Sequence, residues 1–588
     1  MRIPPPPALR KRPATTTKPA AKKNIQSASV VGGFSQEPIE EDALVIEPFE
    51  LPKQFTKEQQ AIINSDADIL FGQALAGTGK STTAIGYVAA RPQEKILVLC
   101  FNTANAADAR SKYPQVCSNA TIRTVHALAY ENLDKQLRPR VTNRWSVMAV
   151  QQDLRLVGAN SSIRLAAITH SILTDFFNTA DEKIDVLKHG ITASNRYQAT
   201  GKEVREAAIL ANKLWLAMQS PTPTIGMSAQ VNSVSIPHDA YLKIFSLQNK
   251  PLGFDAIILD EAQDANAIML HIMLQQNKLG TRLVFLGDTH QSIYDFRGAV
   301  NAMDVNKMPK TPTVLPLTES WRMGAKTASI ANLLLKELKG EHLRIKASGK
   351  DEDFDESAPR AFLARLNATL MEHAVELDGK GIYWVGDIES YRISILEDAW
   401  NLYLGRRDEI KDQMIKRSFT DYHDLVEAAR YDSELNVIQK LIDSYKEDIP
   451  KIVKNLRANA VSDEKEARFI FSTAHKSKGL EWDYVEVAND FNEPLSMAER
   501  WLSGADEQFP EQEINLLYVC YTRAKKALRI NKQTYEWLRN LEQHRSERVR
   551  RWAGQQEFEA RAEINAQTNR TQRTSTTNAF AGLRPFRM

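Results

Sequence analysis

The chain has little cysteine: three in 588 residues, at Cys100, Cys117 and Cys520. They are scattered and form no CxxC pair. That argues against a disulfide framework or a thiolate zinc site and fits a reducing compartment. No apolar run approaches the roughly 20 residues of a membrane-spanning helix. The N-terminus lacks an apolar signal core, so a soluble intracellular protein without membrane association is expected. An excess of one charge is also missing. Lys plus Arg number 76 and Asp plus Glu 73, a net charge of +3. The whole chain therefore does not demand a polyanionic partner, and local stripes decide the matter. No repeat of fixed short period is visible. What is present is globular in composition, 43% hydrophobic and 25% charged, which excludes a fully disordered or fibrous chain. At roughly 150 residues per domain the length holds about four domains' worth of material.

Residues 1–50 read as a disordered tail: a proline run, a stretch whose charges are all positive, then one whose charges are all negative from Glu37. Such a segment cannot bury enough surface to order itself. Its basic part reads as a solvated tail, a nuclear address or a nucleic-acid arm. Residues 541–588 read as a C-terminal helix and a second disordered tail. Between them, "ADILFGQA", "KILVLCFN", "FDAIILDEA" and "TRLVFLGD" are short β-rich runs that end in turn or polar residues. A second set follows: "GIYWVGD", "FIFSTAH", "YVEVAND" and "ALRIN". Interleaved with helical segments, such runs predict βαβ units and parallel sheets. The fold class expected is α/β, with two domains. The first takes residues 51–127 and 233–300, with a helical insertion at 128–232. The second takes 301–405 and 463–540, with a short helical insertion at 406–462.

The run "DILFGQALAGTGKST" places a strand, a glycine-rich turn and helix formers in order. Gly77, Gly79, Lys80 and Ser81 match the end of the GxxxxGK[ST] phosphate loop, with Ala74 in place of its first glycine. The segment Ala74, Leu75, Ala76, Gly77, Thr78, Gly79, Lys80, Ser81 and Thr82 would curl its backbone N–H groups around phosphate oxygens at a helix N-terminus. Lys80 would reach the outer phosphates and Ser81 would bind Mg2+. The competing reading, a tight helix-capping turn, leaves Lys80 without a purpose.

In "FDAIILDEAQD" an apolar strand delivers Asp260 and Glu261 at its C-terminal end, where open α/β sheets place their ligands. Asp260 would hold Mg2+, and Glu261 would orient and deprotonate an attacking water. An acidic helix cap is the bland alternative. The next strand ends in "THQSIYDFRGA". There Gln291 is placed to sense a γ-phosphate, and Tyr294, Phe296 and Arg297 form an aromatic–basic cluster suited to stacking unpaired bases. Two core aromatics and a surface arginine would be the ordinary reading elsewhere.

These ordered motifs resemble superfamily 1 helicases of the UvrD/Rep/PcrA type, closest to the F-box DNA helicase branch, over Phe55 to about Ile530. The resemblance implies two RecA-like motor domains of the P-loop NTPase class. "FTKEQQAII" resembles the Q motif, so Gln59 would read the adenine edge. "CFNTANA" and "TVHALAY" resemble DNA-contacting motifs, implying Phe101, Asn102, Thr124 and His126 on the strand. "LTESWRMG" puts Trp321 where an adenine-stacking tyrosine stands and Arg322 where a γ-phosphate arginine stands. In "STAHKSKGLEW", His475 would couple DNA to ATP and Glu481 would contact the ribose. "NLLYVCYTRAKKAL" supplies Arg523 as an arginine finger. Bland alternatives are buried structural roles for His126 and His475, a core Trp321, and a solvated face at Lys476 and Lys478.

The chain also departs from the family pattern. Thr82 stands where the family often has arginine, Phe296 where close relatives often carry tryptophan, and "INLLYV" lacks the arginine of "ERRLxYV". Residues 1–50 contain no F-box sequence, and no nuclease motif is evident. The resemblance implies an ATP- and Mg2+-dependent DNA helicase or translocase on single-stranded DNA and DNA junctions. Its polarity would be 3′-to-5′, in repair, recombination or replication. The alternative is a remodeller that strips recombinase filaments from single strands. Candidate partners are single-strand-binding or recombinase proteins, with the chain a monomer or weak oligomer. It would be nuclear in a eukaryote and cytoplasmic, nucleoid-associated, in a bacterium.

Overall fold

The structure is a computed structural model. It describes residues 49–540 except 144, 160, 221–233, 295–299, 378, 413–414, 417–418, 431–432, 492–495, 497, 499 and 502–509. Phe296, Arg297 and the expected tails lie outside the described residues, except Phe49 and Glu50; Phe49 packs against the core of the first sheet.

Strands β1 (Ile69–Ala74), β2 (Ile96–Cys100) and β3 (Ala120–Thr124) open the first sheet. The short pair β4 (Val141–Thr142) and β5 (Ile236–Pro237) follows within the largely helical segment. Then β6 (Ala256–Asp260), β7 (Arg282–Gly287) and β8 (Thr313–Leu317) complete a six-stranded sheet in the order β3-β2-β6-β7-β1-β8. Its strand pairs are all parallel. Alternate residues leave on opposite faces, as a strand period of two requires. Ile257, Leu259, Leu283 and Phe285 enter one core, shared with the helices Ile163–Phe177 and Gly201–Gln219. Ile258, Val284 and Leu286 enter the other, shared with the helix Lys80–Ala89. Burial on both faces explains why these strands read as continuous apolar runs.

A two-residue pair, β9 (Glu319–Ser320) with β10 (Lys346–Ala347), precedes the second sheet. That sheet contains β11 (Arg360–Ala364), β12 (Ile382–Trp384), β13 (Ala460–Val461), β14 (Phe469–Thr473), β15 (Trp482–Val487) and β16 (Ala524–Arg529). Its order is β13-β12-β14-β11-β15-β16, again with parallel pairing. The α/β class with two parallel sheets is thus as the sequence predicts. Helices Tyr422–Ala429, Ser433–Tyr445 and Ile449–Asn459 fill the stretch before β13. No helix among the described residues is long and apolar enough to cross a membrane.

Two differences concern boundaries. The segment Thr313–Leu317, placed by sequence in the second domain, is the edge strand of the first sheet and pairs with β1. Only an edge tolerates its Pro316, which has no N–H for a further ladder. The 127/128 boundary falls inside the helix Val125–Glu131, whose Val125, Leu128 and Ala129 belong to the first sheet's core.

The two sheet domains share buried surface. Leu75, Ala76 and Ile293 of the first lie in one cluster with Leu517, Tyr518 and Tyr521 on the helix Glu511–Tyr521 of the second. This junction positions the site.

Candidate functional site

The phosphate-loop segment leaves the C-terminal end of β1 and enters the helix Lys80–Ala89 through Gly79, which is left-handed at φ 78°. Gly77 is left-handed too, and a Cβ there would lie 2.5 Å from Ser320 Oγ and 2.7 Å from Arg322 Cβ. Backbone conformation and crowding therefore both demand glycine at 77. The Thr78 hydroxyl donates to the Leu75 carbonyl at 2.8 Å, closing the turn. Gln59 caps its own helix, its Oε1 accepting from the Thr56 N–H at 3.0 Å. Its amide nitrogen would be 2.9 Å from a Cβ at Gly79, so it lies against the loop.

Lys80 Nζ is 3.3 Å from Glu261 Oε1. Burial opposes the lysine's charge, but Glu261, Asp288 and Asp260 outweigh it and raise its pKa. Ser81 Oγ stands 3.5 Å from Asp260 Oδ2, so the two expected metal ligands adjoin. A hydroxyl and a carboxylate are hard oxygen donors of the kind Mg2+ takes, and with the glycine cradle they fit a Mg2+–nucleotide complex. Burial, reinforced by Glu261, pushes the Asp260 carboxyl up. Burial also works against ionised Glu261, but Lys80 and Lys478 prevail and hold it below the usual carboxylate range. Glu261 has φ 55°, a backbone region uncommon for a residue with a Cβ. Gln263 Nε2 donates to its Oε2 at 2.5 Å.

Gln291 is buried after β7. Its Nε2 donates to Asp288 Oδ2 at 2.8 Å, and its Oε1 accepts from Arg523 Nη2 at 3.2 Å. Arg523 is 1% exposed and is further held by the carbonyls of Val519 and Leu480, at 3.0 and 3.1 Å. Arg322 donates through Nε to Glu481 Oε2 at 2.7 Å and through Nη1 to the Thr522 carbonyl at 3.2 Å. Trp321 is 60% exposed beside the phosphate-loop segment, its backbone N–H donating to the Gly77 carbonyl. That removes the core alternative for Trp321.

On the adjoining face, Phe101 and Tyr294 stack at 5.7 Å with a 15° interplanar angle. Tyr294 Oη donates to the His475 carbonyl at 3.4 Å. Asn102 and Thr124, expected on the DNA strand, have a local structural task. Each is a helix N-cap, its side-chain oxygen accepting from the Asn105 or Ala127 N–H, at 2.7 and 3.1 Å. Thr124 is moreover buried. Residues that interrupt a helix with a short polar side chain are the ones that cap it. His126 is half-buried, with Nε2 3.5 Å from Asp239 Oδ1.

Several residues of the site escaped the sequence reading. Lys478 is no solvated face: Nζ contacts Asp264 Oδ2 at 2.5 Å and the Gln291 carbonyl at 2.7 Å. Lys476 likewise donates to Ser390 Oγ at 2.6 Å and lies 3.4 Å over the Tyr391 ring. Burial brings its pKa down to about 8. Asp264, Gln263, Asp288 and Tyr518 complete the cleft. "EAQD" showed the first two as letters, but nothing local distinguishes them from a helix start.

The family model described as "UvrD/REP helicase N-terminal domain" matches residues 55–310, and that described as "UvrD-like helicase C-terminal domain" matches 402–535. The chain is 30% identical over 513 residues to the F-box DNA helicase 1 of Gallus gallus, covering 81% of this chain and 49% of that protein. It is 28% identical over 527 residues to the F-box DNA helicase protein 1 of Schizosaccharomyces pombe, covering 83% and 59%. The chain thus spans about half the length of these relatives.

Proposed function

The chain belongs to the UvrD-like helicase family, and we propose that it is an ATP-driven DNA helicase and translocase working on single-stranded DNA. The carrying observation is that one largely buried cluster holds Lys80, Glu261 and Gln291 from the first sheet domain with Arg523 and Lys478 from the second. A site divided between two domains ties hydrolysis to their relative movement.

In this reading Gln59 and Trp321 hold the base, Glu481 the ribose, and the segment Ala74–Thr82 the phosphates. Lys80, Arg322 and Arg523 neutralise the charge that spreads over the transferring phosphoryl group. Ser81 and Asp260 would hold Mg2+, which when bound would supply Lewis-acid charge stabilisation. Glu261 takes a proton from the attacking water, kept ionised for that task by Lys80 and Lys478. Arg322 and Glu481 now pair with each other, so nucleotide entry exchanges that ion pair for phosphate and ribose contacts. Phe101, Tyr294 and His475 receive the strand, with stacking contributing about 1–3 kcal/mol per base. A base-pair step costs about 1.4 kcal/mol to open, within reach of one ATP.

The 3′-to-5′ direction is proposed from family likeness. The test is strand displacement on 3′- and 5′-tailed duplexes, run beside clearance of a recombinase filament from single-stranded DNA. Unwinding of the 3′-tailed duplex alone supports the reading. Clearance without unwinding makes the chain a remodeller, and loss of ATP dependence overturns both.

A further inference from the structure

Tyr518 lies on the helix Glu511–Tyr521 of the second sheet domain and is fully buried. Its hydroxyl leaves its own domain. Oη accepts from the backbone N–H of Ala76 at 3.1 Å, a partner 442 positions away in the phosphate-loop segment. It donates to Asp288 Oδ2 at 3.2 Å, at the end of β7. That same carboxylate oxygen accepts from Gln291 Nε2 at 2.8 Å, and Gln291 Oε1 accepts from Arg523 Nη2 at 3.2 Å. Arg523 stands just past Thr522, the C-cap of the helix that carries Tyr518. The bonds therefore form a closed circuit that leaves the second domain at Tyr518 and returns to it at Arg523.

A hydroxyl can accept from an N–H and donate to a carboxylate at once. No hydrocarbon ring does so. Resting on the ATPase reading above, we propose that Tyr518 is a positioning residue. It locks the Ala76 segment of the loop to the Asp288–Gln291–Arg523 chain, so that loop conformation and arginine placement change together. Without the hydroxyl, the Ala76 N–H is buried without its partner and Asp288 Oδ2 loses the donor that ties it to the second domain, so the junction loosens where the arginine must be aligned.

The test is Tyr518→Phe in the full chain, measured as steady-state ATPase against ATP concentration with and without single-stranded DNA. The matched control is Tyr521→Phe. Tyr521 is buried on the same helix, but its hydroxyl bonds to Asn531 and Thr534 of its own domain, at 2.9 and 2.5 Å. Tyr518→Phe is expected to lower DNA-stimulated kcat about tenfold with KM for ATP within about threefold, the pattern of lost alignment. Tyr521→Phe is expected to lower the melting temperature and keep kcat within about twofold. The inference is overturned if Tyr518→Phe turns over like the wild type, if only KM moves, or if both variants lose kcat alike. It is also overturned if Tyr518→Phe fails to fold while Tyr521→Phe folds. Lys80→Ala, assayed alongside, separates the two levels. Turnover surviving in Lys80→Ala sinks the ATPase reading, whereas an inactive Lys80→Ala beside a normal Tyr518→Phe sinks the coupling role alone.

Discussion

Arg523 reaches across the junction of the two sheet domains and donates through Nη2 to Gln291 Oε1 at 3.2 Å, joining residues 232 positions apart in the chain. Burial, then the nearby Arg322, lowers the Arg523 guanidinium pKa to about 9, with Glu261 opposing the shift. Such a buried, pre-placed cation suits a charged phosphoryl transition state. Arg523→Ala is expected to cut DNA-stimulated ATP hydrolysis by about 10³ or more, with single-stranded DNA binding retained. Lysine at this position should rescue poorly, since it lacks the planar fork that spans two acceptors. Steady-state ATPase, with circular dichroism to confirm folding, checks this. Near-normal turnover in a folded variant would remove the cleft from catalysis.

Lys80 serves Glu261 now and phosphates in the proposed reaction, and neither task involves the stacked rings of the strand face. Lys80→Ala should therefore abolish hydrolysis while DNA affinity survives. Deleting it also leaves Glu261 with Lys478 at 3.9 Å as its remaining cation partner, so some loss of stability accompanies the loss of activity. ATPase above a few per cent of wild type, by the scale on which phosphate-clamp residues act, would sink the assignment of the loop.

What could be read from the sequence follows from how local each signal is. β1, β2, β6 and β7 are buried on both faces and show as apolar runs; Asp260 ends β6, Glu261 comes next, and Lys80 opens the helix after the loop that leaves β1. The edge strands β3 and β8 are only partly buried. "ATIRT" and "TVLPL" lack a continuous buried run, and among the described residues β8 joins its sheet through β1 and β3 through β2. Asn102 and Thr124 carry two compatible messages, a motif and a helix cap, and the fold engages each oxygen as a cap. Lys478 and Tyr518 were hidden for another reason. Their partners Asp264 and Ala76 are 214 and 442 positions away, beyond any window that periodicity can scan.

Gly77→Ala should separate backbone need from space. At 77 the left-handed backbone costs an alanine about 1–2 kcal/mol. The contacts with Ser320 and Arg322 add overpacking of about 1–3 kcal/mol. The collision pushes the Ser320–Arg322 segment away from the loop, so KM for ATP should rise along with the stability loss. Gly280 provides the control: its φ is +96° with nothing within 4 Å of a Cβ. Gly280→Ala should incur the backbone strain alone and leave KM unchanged. Urea melts and ATP titrations of both variants decide it. Equal KM values would mean that the loop tolerates a Cβ and is not shaped around phosphates.

Tyr294 sits where the two halves of the proposed mechanism meet. One face of its ring stacks on Phe101 at 5.7 Å, its hydroxyl bonds to the His475 carbonyl at 3.4 Å, and Lys478 Nζ lies 5.2 Å from its centroid. Lys478 in turn contacts Asp264 and the Gln291 carbonyl, so the ring borders both the strand face and the phosphate side. Tyr294→Ala should weaken single-stranded DNA binding by about 1–3 kcal/mol, the worth of one stacking face, and reduce DNA stimulation of the ATPase. ATP affinity without DNA should stay near wild type, because no phosphate contact is removed. Phe101→Ala should produce a similar loss. The double variant should lose less than the sum, because the rings touch and either deletion already breaks the pair. Fluorescence anisotropy with a labelled oligonucleotide, repeated at two salt concentrations, measures all three. Stacking should persist at the higher salt, whereas phosphate contacts weaken steeply. Unchanged affinity in both single variants would return the Phe101–Tyr294 pair to ordinary packing and move the strand's path elsewhere on the molecule.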